Sequence, residues 1–307
     1  MKIVVACGGT SPEREVSLNS GKAVYDGLLK AGFEAVLVDV TSIKDFINDW
    51  KAYNADGVFV ALHGDWGENG EFQSALQSFG IKYTGSKPEA CMLAMDKFVS
   101  KLLFKEYGIQ VPDGFTLNRS NYSYDKMEKF LDKHNKIIVK PNSGGSTVGV
   151  TVVESKNDIL KALESAWDIE DTAIIEEFID GEEVTVPVFE ENGIVFSMPP
   201  IKICPKLGFY DYSNKYTAGA TEYLCPAPLS EEILKELSQM AINAHKALGC
   251  KVYSRVDFRI SKTQSLYILE VNTAPGMTAT SLVPKSARAL GYTFDEFLER
   301  VISASFD

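Results

Sequence analysis

The sequence predicts an α/β protein with a parallel sheet near the N-terminus and a separate strand-rich region near the C-terminus. The first observation is that short apolar strands alternate with helical segments over residues 1–62. The second is a run near residues 253–271 in which charged and apolar residues alternate with the period of a half-buried strand. The third is the length of 307 residues, which is enough for two or three domains of about 100 residues each.

Composition limits the class of partner. Hydrophobic residues make up 45% and charged residues 24%, as in ordinary globular proteins. The net charge of −11 argues against a nucleic-acid partner, because that partner requires a basic face. The five cysteines are scattered without a CxxC pair, which predicts reduced thiols in place of a disulfide frame or zinc site. We expect a cytoplasmic protein with no signal peptide, and no apolar run approaches the roughly 20 residues of a membrane span.

In the N-terminal region Ser11 is predicted to cap a helix that begins at Pro12 and ends before Gly32. Glu15 falls in the first turn of this helix, where it can complement the helix dipole. His63 follows directly on the last strand, at the edge where open α/β sheets bind ligands, although a lone histidine there is more often structural. This first domain is expected to end near residue 86. The predicted strands are Lys2–Ala6, Ala35–Val40 and Gly57–Leu62.

The central region contains a glycine-rich loop suited to binding phosphate. The loop KPNSGGSTVG follows a predicted strand, Ile137–Lys140, and carries the hydroxyls of Ser146 and Thr147. Its backbone N–H groups can close over phosphates while Lys140 supplies a positive charge. A hairpin turn would explain the glycines but not the lysine at the strand end. Because the lysine precedes the glycines, the loop is not a P-loop.

A second feature of the central region is the predicted edge strand Ala173–Ile179, which runs into a turn at Gly181. Backbone groups at such a hinge can pair with the edge of a purine base. The acidic residues between positions 176 and 183 could otherwise form a solvated rim. Two helices are predicted before this strand, at Pro88–Met95 and Asp96–Tyr107, with Lys97 near the start of the second; a lone lysine there is more often solvated.

The segment Cys204–Pro228 has no convincing periodicity and predicts a lid or binding loop, because long irregular segments in compact domains usually serve such roles. Its aromatic residues argue against a disordered surface loop, and its candidate gate residues include Lys215 and Tyr216. The segment lies between a predicted hairpin, residues 184–198, and a predicted helix, Ser230–Leu248.

The C-terminal strand pair predicts a metal site. Arg255 and Asp257 lie on the polar face of one strand, Glu270 lies on the next strand, and Asn272 follows at its end. Two carboxylates and an amide oxygen are ligands that Mg²⁺ accepts, with water and substrate phosphates in its other positions. A salt bridge from Arg255 to a carboxylate on a solvated strand is the alternative. The turn NTAPGM then places backbone N–H groups, including that of Gly276, where they can stabilise an oxyanion.

Several strings resemble the D-alanine–D-alanine ligases of the ATP-grasp superfamily, and together they cover nearly the whole chain. They are GGTSPEREVSLNSG, HGDWGENGEFQSALQSFGIKYTGS, MDK, VKPNSGGSTVG and LEVNTAPGMTATSLVP. The resemblance implies a three-domain ATP-grasp fold, with domains at residues 1–86, 87–182 and 183–307. It also implies ATP-dependent ligation of two D-alanine molecules through a D-alanyl phosphate, for peptidoglycan precursors. Asn69 and Thr147 stand where the family commonly has aspartate and serine.

The resemblance also assigns roles to single residues. Substrate binding falls to Glu15, which faces the substrate ammonium, and to His63, Lys215, Tyr216, Ser281 and Leu282. Contacts with the ATP phosphates fall to Lys97, Lys140 and Lys215, and contacts with adenine fall to Glu176, Phe178 and Ile179. Contact with the ribose falls to Glu183, and the neighbouring Glu182 remains an alternative for this role. Magnesium, expected as two ions that Mn²⁺ can replace, falls to Asp257, Glu270 and Asn272. Catalysis falls to Arg255 and Gly276 at the oxyanion, and to a network of Glu15, Ser146 and Tyr216.

Two rival functions remain open at this point. A ligase of the same family could use D-lactate or D-serine as its second substrate, although Tyr216 favours D-alanine because lactate-using members typically have phenylalanine there. A nucleotide-binding regulatory protein without turnover is the rival from another class. The expected partners are D-alanine and ATP, with no nucleic acid and no membrane, and we expect a homodimer.

Overall fold

The computed structural model describes residues 1–145, 147–206 and 219–306, and within these ranges the strands form three sheets. The strands of the first sheet are β1 (Lys2–Gly8), β2 (Glu34–Val40) and β3 (Gly57–Val60). They are parallel, in the order β2-β1-β3. Ile3 and Val5 pack in one buried cluster and Val4 and Ala6 in another, because successive side chains of a strand point to opposite faces. The predicted parallel arrangement is confirmed.

The first helix begins later than predicted. The helices of this region are α1 (Arg14–Lys30), α2 (Ile43–Tyr53) and α3 (Glu71–Ser78). The prediction that Ser11 caps α1 is wrong, since Glu13 occupies the N-cap position. The Ser11 hydroxyl instead donates to the carbonyl oxygen of His63 at 2.7 Å and accepts from the N–H of Glu13 at 3.1 Å, which ties the turn to the end of the first sheet. Gly32 follows the helix with φ +86°, as predicted for a residue after the C-cap.

The second sheet is antiparallel, and two helices cover it. Its strands are β4 (Gly114–Asn118), β5 (Ile137–Pro141), β6 (Thr151–Val153) and β7 (Thr172–Glu177), and the helices are α6 (Tyr124–His134) and α7 (Ile159–Trp167). The order β4-β7-β5-β6 places β7 between two neighbours, so the predicted edge strand is wrong. The short sequence GFTLN of β4 lacks a clear period, and this strand covers the edge that the prediction left open.

The third sheet has the order β11-β10-β8-β12-β13, with β9 paired to β8. Its strands are β8 (Gly181–Glu191), β9 (Ile194–Ser197), β10 (Ile201–Pro205), β11 (Thr221–Leu224), β12 (Tyr253–Ser261) and β13 (Leu266–Asn272). Part of the segment predicted to be irregular is thus a strand pair, in which Lys202 faces Leu224. The half-exposed four-residue strand β11 was too short for its pattern to be recognised. Residues 207–218 of that segment lie outside the described residues.

Helices on the third sheet connect it with the rest of the chain. They are α4 (Pro88–Met95), α5 (Lys97–Glu106), α8 (Glu231–Ala247), α9 (Leu282–Ala289) and α10 (Phe294–Phe306). The last of these packs on the first sheet, where a Cβ at Gly27 of α1 would lie 2.5 Å from Leu298 Cδ1. Phe189 of β8 joins the same buried cluster, so the first and third sheets share one core. Within the described ranges, we find no helix with the length and apolar character that a bilayer span requires.

Candidate active site

A cavity of about 620 Å³ lies between the three sheets, in the part of the chain that the structure describes. Segments from all three regions line it, including the start of α1, the end of β5, the end of β7 and the paired strands β12 and β13. The predicted residues that line the cavity are His63, Lys97, Lys140, Glu176, Phe178, Ile179, Glu183, Arg255, Asp257, Glu270, Asn272, Gly276, Ser281 and Leu282. Ser146, Lys215 and Tyr216 lie outside the described residues.

The strand pair brings the predicted metal ligands together. Asp257 on β12 is directly opposite Glu270 on β13, and Arg255 is opposite Asn272. Arg255 donates to both oxygens of Asp257, with Nε–Oδ1 at 3.0 Å and Nη2–Oδ2 at 2.8 Å, and Thr185 donates to Oδ1 at 2.5 Å. The salt bridge that was the alternative interpretation is therefore present in the same place as the oxygen cluster. Because a carboxylate oxygen has more than one lone pair, these contacts leave Asp257 able to accept a further partner.

Two lysines from the central region project into the cavity. Lys97 at the start of α5 donates to the carbonyl oxygen of Gly144 at 2.5 Å and lies 3.6 Å from Glu270 Oε2. Lys140 at the end of β5 pairs with Glu176 Oε2 at 2.9 Å. Burial opposes the charge of Lys140, but the attraction of Glu176 and Glu270 outweighs it and raises the pKa of Lys140. Lys140 therefore remains charged at neutral pH beside the glycine loop.

His63 joins the first sheet to the turn that follows β13. Its Nδ1 lies 2.9 Å from the carbonyl oxygen of Ala274, and its Nε2 lies 3.0 Å from the hydroxyl of Ser20. A carbonyl oxygen can only accept, so Nδ1 donates to Ala274, and Nε2 makes its contact with the Ser20 hydroxyl. The same hydroxyl accepts from the N–H of Met277 at 3.3 Å. The turn that contains Gly276 is thus anchored at both ends, to His63 after the first sheet and to Ser20 on α1.

The structure does not bring Glu15 to the cavity. Glu15 is exposed on α1, whereas Glu13 lines the cavity. Residues two apart on a helix point about 200° apart, so the two glutamates of the PEREV string cannot both face the same site. The carboxylate of Glu13 lies beside the glycine loop, 3.4 Å from where a Cβ at Gly145 would lie. Sequence reasoning missed Glu13 because the string offers two glutamates and the helix start was placed too early.

The opposite end of the cavity contains an aromatic ring and a carboxylate. Phe178 follows β7, and the guanidinium carbon of Arg259 lies 5.5 Å from the centre of its ring. Arg259 also lies 3.9 Å from the carboxylate of Glu183, which lines the cavity. The neighbouring Glu182 instead pairs with Lys202 at 2.8 Å and does not belong to the lining. Of the two glutamates that the sequence left open, Glu183 is the one positioned to meet a ligand.

Comparisons with known proteins agree with this arrangement. The family profile described as D-ala D-ala ligase C-terminus matches residues 103–303. A D-alanine–D-alanine ligase from Halalkalibacterium halodurans is 42% identical over 306 residues, covering 99% of each chain. The crystal structure of a D-alanine–D-alanine ligase from Bacillus anthracis complexed with ATP has a TM-score of 0.86 at 33% identity, covering 99% of this chain and 97% of that one. A D-Ala:D-Ser ligase from Enterococcus faecalis has a TM-score of 0.84 at 29% identity, covering 99% of each chain. This chain belongs to the D-alanine–D-alanine ligase family.

Proposed function

We propose that this protein uses ATP to join two molecules of D-alanine into D-alanyl-D-alanine, through a D-alanyl phosphate, for peptidoglycan precursors. The observation that carries the proposal is the meeting, in one cavity, of two lysines beside a glycine loop with the Asp257–Glu270 pair and the Gly276 turn. Lysines and backbone N–H groups bind phosphates, and carboxylates opposite them bind the accompanying cation. The Gly276 turn adds backbone donors for an acyl-transfer step.

ATP would lie along the cavity with its base near Phe178 and Ile179 and its ribose near Glu183. Its phosphates would then reach Lys97 and Lys140, and the resemblance adds Lys215, which lies outside the described residues. The contact between Lys97 and the Gly144 carbonyl supports this placement, because it joins one phosphate-binding lysine to the loop expected to cover the phosphates. Closure of that loop and the lid would exclude water and protect the acyl phosphate from hydrolysis.

The oxygen cluster on β12 and β13 fits magnesium. Mg²⁺ usually binds only a few protein oxygens, because phosphates and water complete its six positions. The two facing carboxylates and the amide of Asn272 supply such a set. Asn272 Oδ1 accepts from the N–H of Ala274 at 2.8 Å, which orients the amide. Asp257, Glu270 and Asn272 would hold two ions, with Mn²⁺ able to replace them. When bound, the ions neutralise charge on the phosphoryl oxygens.

The chain's own residues then serve two successive bond changes. A carboxylate oxygen of the first D-alanine forms a bond to the γ-phosphorus of ATP while the bond to the ADP oxygen breaks. The amine of the second D-alanine then forms a bond to the carbonyl carbon, and the resulting tetrahedral oxyanion collapses with loss of phosphate. Arg255 and the N–H of Gly276 would stabilise this oxyanion. The bidentate contact with Asp257 fixes the Arg255 guanidinium before the substrate arrives.

Substrate orientation falls to residues at the first sheet and at the start of α9. Glu13, in place of Glu15, would accept hydrogen bonds from the ammonium of the first D-alanine, because it lines the cavity beside the glycine loop. His63, Ser281 and Leu282 would contact substrate as the resemblance implies. Ser146 and Tyr216 would complete a polar network across the lid.

Phosphate release and product mass, measured with ATP and D-alanine, D-lactate or D-serine, test the proposal. We expect D-alanyl-D-alanine with D-alanine alone and no mixed product at neutral pH. A depsipeptide or D-alanyl-D-serine would instead identify a ligase of the rival specificity. ATP binding without phosphate release under any condition would contradict the ligase function.

We further propose a cytoplasmic homodimer whose domains are residues 1–86, 87–182 and 183–307. Each of these spans contains most of one sheet, and β8 begins at Gly181, two residues before the last boundary. Sedimentation velocity at micromolar concentration tests the oligomeric state.

A further inference from the structure

A buried cluster of three charged side chains lies behind the nucleotide end of the cavity. The carboxylate of Glu176 on β7 contacts Lys101 through Oε1 and Lys140 through Oε2, the latter at 2.9 Å. The three residues are almost inaccessible, with 4% of Lys101, 1% of Glu176 and 9% of Lys140 exposed. Lys140 and Glu176 line the cavity, whereas Lys101 does not. Lys101 is therefore a buried charged group to which the proposed reaction assigns no role.

The charges of this cluster do not balance among the described side chains around it. Lys101 and Lys140 share the single carboxylate of Glu176, and the nearest further pair, Lys97 and Glu270, is balanced at 3.6 Å. One positive charge is thus left in excess in a region that water does not reach. Burying unbalanced charge is unfavourable, and an anionic ligand beside Lys140 would relieve it. The cluster faces the cavity at Lys140.

Each lysine has a distinct position relative to Glu176. Lys101 lies on α5, one helical turn after Lys97, so both project from one face of the helix toward the cavity wall. Lys101 occupies the oxygen of Glu176 that faces away from Lys140, and its charge offsets that of the carboxylate. If Lys101 carried no charge, Glu176 would pair one-to-one with Lys140. Lys140 would then have little net charge to offer a phosphate.

We propose that Lys101 is a positioning residue for the nucleotide, acting through Glu176 to keep Lys140 oriented toward the cavity with its charge available. This inference rests on the proposed use of ATP, and it assigns a role in ATP binding to a residue that does not touch the nucleotide. Burial lowers the pKa of Lys101 to about 7 against the attraction of Glu176, so Lys101 carries its full charge only below that pH. The two lysines outweigh burial at Glu176 and lower its pKa.

Lys101→Met tests the proposal, because methionine keeps the length of the side chain and removes its charge. The matched control is Lys105→Met, an exposed lysine one turn further along the same helix. The dissociation constant of ATP, measured by fluorescence titration, is expected to rise about tenfold in Lys101→Met, as when a residue that orients a ligating group is lost. We expect the KM of D-alanine to stay within about twofold of wild type in both variants, and Lys105→Met to bind ATP normally. Lys101→Arg keeps the charge and should recover part of the affinity.

A double variant separates positioning from simple packing. Lys101→Met with Glu176→Gln removes one positive and one negative charge, so the cluster keeps the net charge of the wild type. Lys140 then loses the nearer of the two carboxylates that sustain its charge in a buried place, so ATP should still bind about tenfold more weakly than to wild type. This comparison also covers the case in which Lys101→Met alone fails to fold.

The proposal is overturned if Lys101→Met binds ATP as Lys105→Met does. It is equally overturned if the double variant recovers ATP affinity together with stability, because Lys101 would then only support the fold. The ATP titration requires no turnover. A wild type that binds ATP but releases no phosphate would count against the proposed ligase function alone, and the comparison among variants would still decide the role of Lys101.

Discussion

Replacing Ser20 with alanine tests how the first sheet holds the turn that carries Gly276. Ser20 is fully buried on α1, and its hydroxyl lies 3.0 Å from His63 Nε2 and 3.3 Å from the N–H of Met277. Alanine would leave both groups without this partner in a place that water does not reach, since His63 is 5% and Met277 is 1% exposed. Each buried group left unpaired costs about 1–3 kcal/mol of folding free energy.

Ser17 provides a matched control on the same helix. It is also fully buried, and its hydroxyl accepts from the N–H of Gly8 at 2.8 Å and donates to the carbonyl oxygen of Ala61 at 2.7 Å. Ser17→Ala should therefore lose a similar free energy of unfolding in urea without touching the Gly276 turn. Because loss of an oxyanion donor costs about 100-fold to 1,000-fold in rate, a loosened donor should cost less. We expect kcat to fall about tenfold in Ser20→Ala and less than about twofold in Ser17→Ala.

The histidine ring adds a second measurement. The chain has three histidines, so ¹⁵N spectra of the imidazole nitrogens can be assigned with single substitutions. The wild-type spectrum should show a proton on Nδ1 of His63, because that nitrogen donates to the Ala274 carbonyl. A proton on Nε2 without one on Nδ1, or an equal loss of kcat in Ser20→Ala and Ser17→Ala, would refute the reasoning.

Further predictions concern the substrate, the metal and pH. Glu13→Gln should raise the KM of D-alanine about tenfold or more while Glu15→Gln leaves it nearly unchanged, because only Glu13 lines the cavity; equal effects would contradict this assignment. Asp257→Asn or Glu270→Gln should lower kcat about 100-fold with little change in the urea midpoint, and full activity of either variant at limiting Mg²⁺ would argue against the metal site. Burial lowers the pKa of His245 to about 4, from 6.5 when unfolded, so the unfolded chain binds the proton first as pH falls. Stability should therefore drop by about 2 kcal/mol between pH 7 and pH 5 on account of this group. Urea unfolding at both pH values should find this drop missing in His245→Asn, and an unchanged drop would exclude His245 as its source.

Features encoded within a few neighbouring residues could be predicted from the sequence. The alternation of Arg255 and Asp257 with apolar residues places both on one face of β12, and the facing strand β13 brings Glu270 opposite. The second central helix was predicted to start at Asp96, and the carboxylate of Asp96 caps α5 by accepting from the N–H of Val99 at 2.9 Å. In each case a period or a capping residue decides the geometry, so no distant contact is needed.

Features that depend on strand neighbours were harder to predict. β7 is not an edge strand, because β4 pairs with it. The five residues of β4, 114–118, carry no strong pattern, so this pairing could not be predicted from the sequence. The choice between Glu13 and Glu15 depends on where α1 begins, and a hydrogen bond from Ser11 to the end of the first sheet moves that start. A shift of two residues on a helix changes the side that faces the cavity, so a small error in the boundary selects the wrong glutamate.

The contacts that assemble the cavity join residues far apart in the chain. His63 and Ala274 are separated by 211 positions, yet one hydrogen bond between them holds a proton on Nδ1 and anchors the Gly276 turn. Lys101 and Glu176 are 75 positions apart, and neither the lysine on its helix nor the glutamate on its strand indicates the other. A charged residue inside a helix is usually solvated, so sequence reasoning had no ground to bury Lys101. The paired carboxylate makes its burial tolerable, and the same carboxylate holds Lys140 at the cavity. Residues of this kind, charged and buried without touching the ligand, are therefore where a structure adds most to motif-based reasoning about this family.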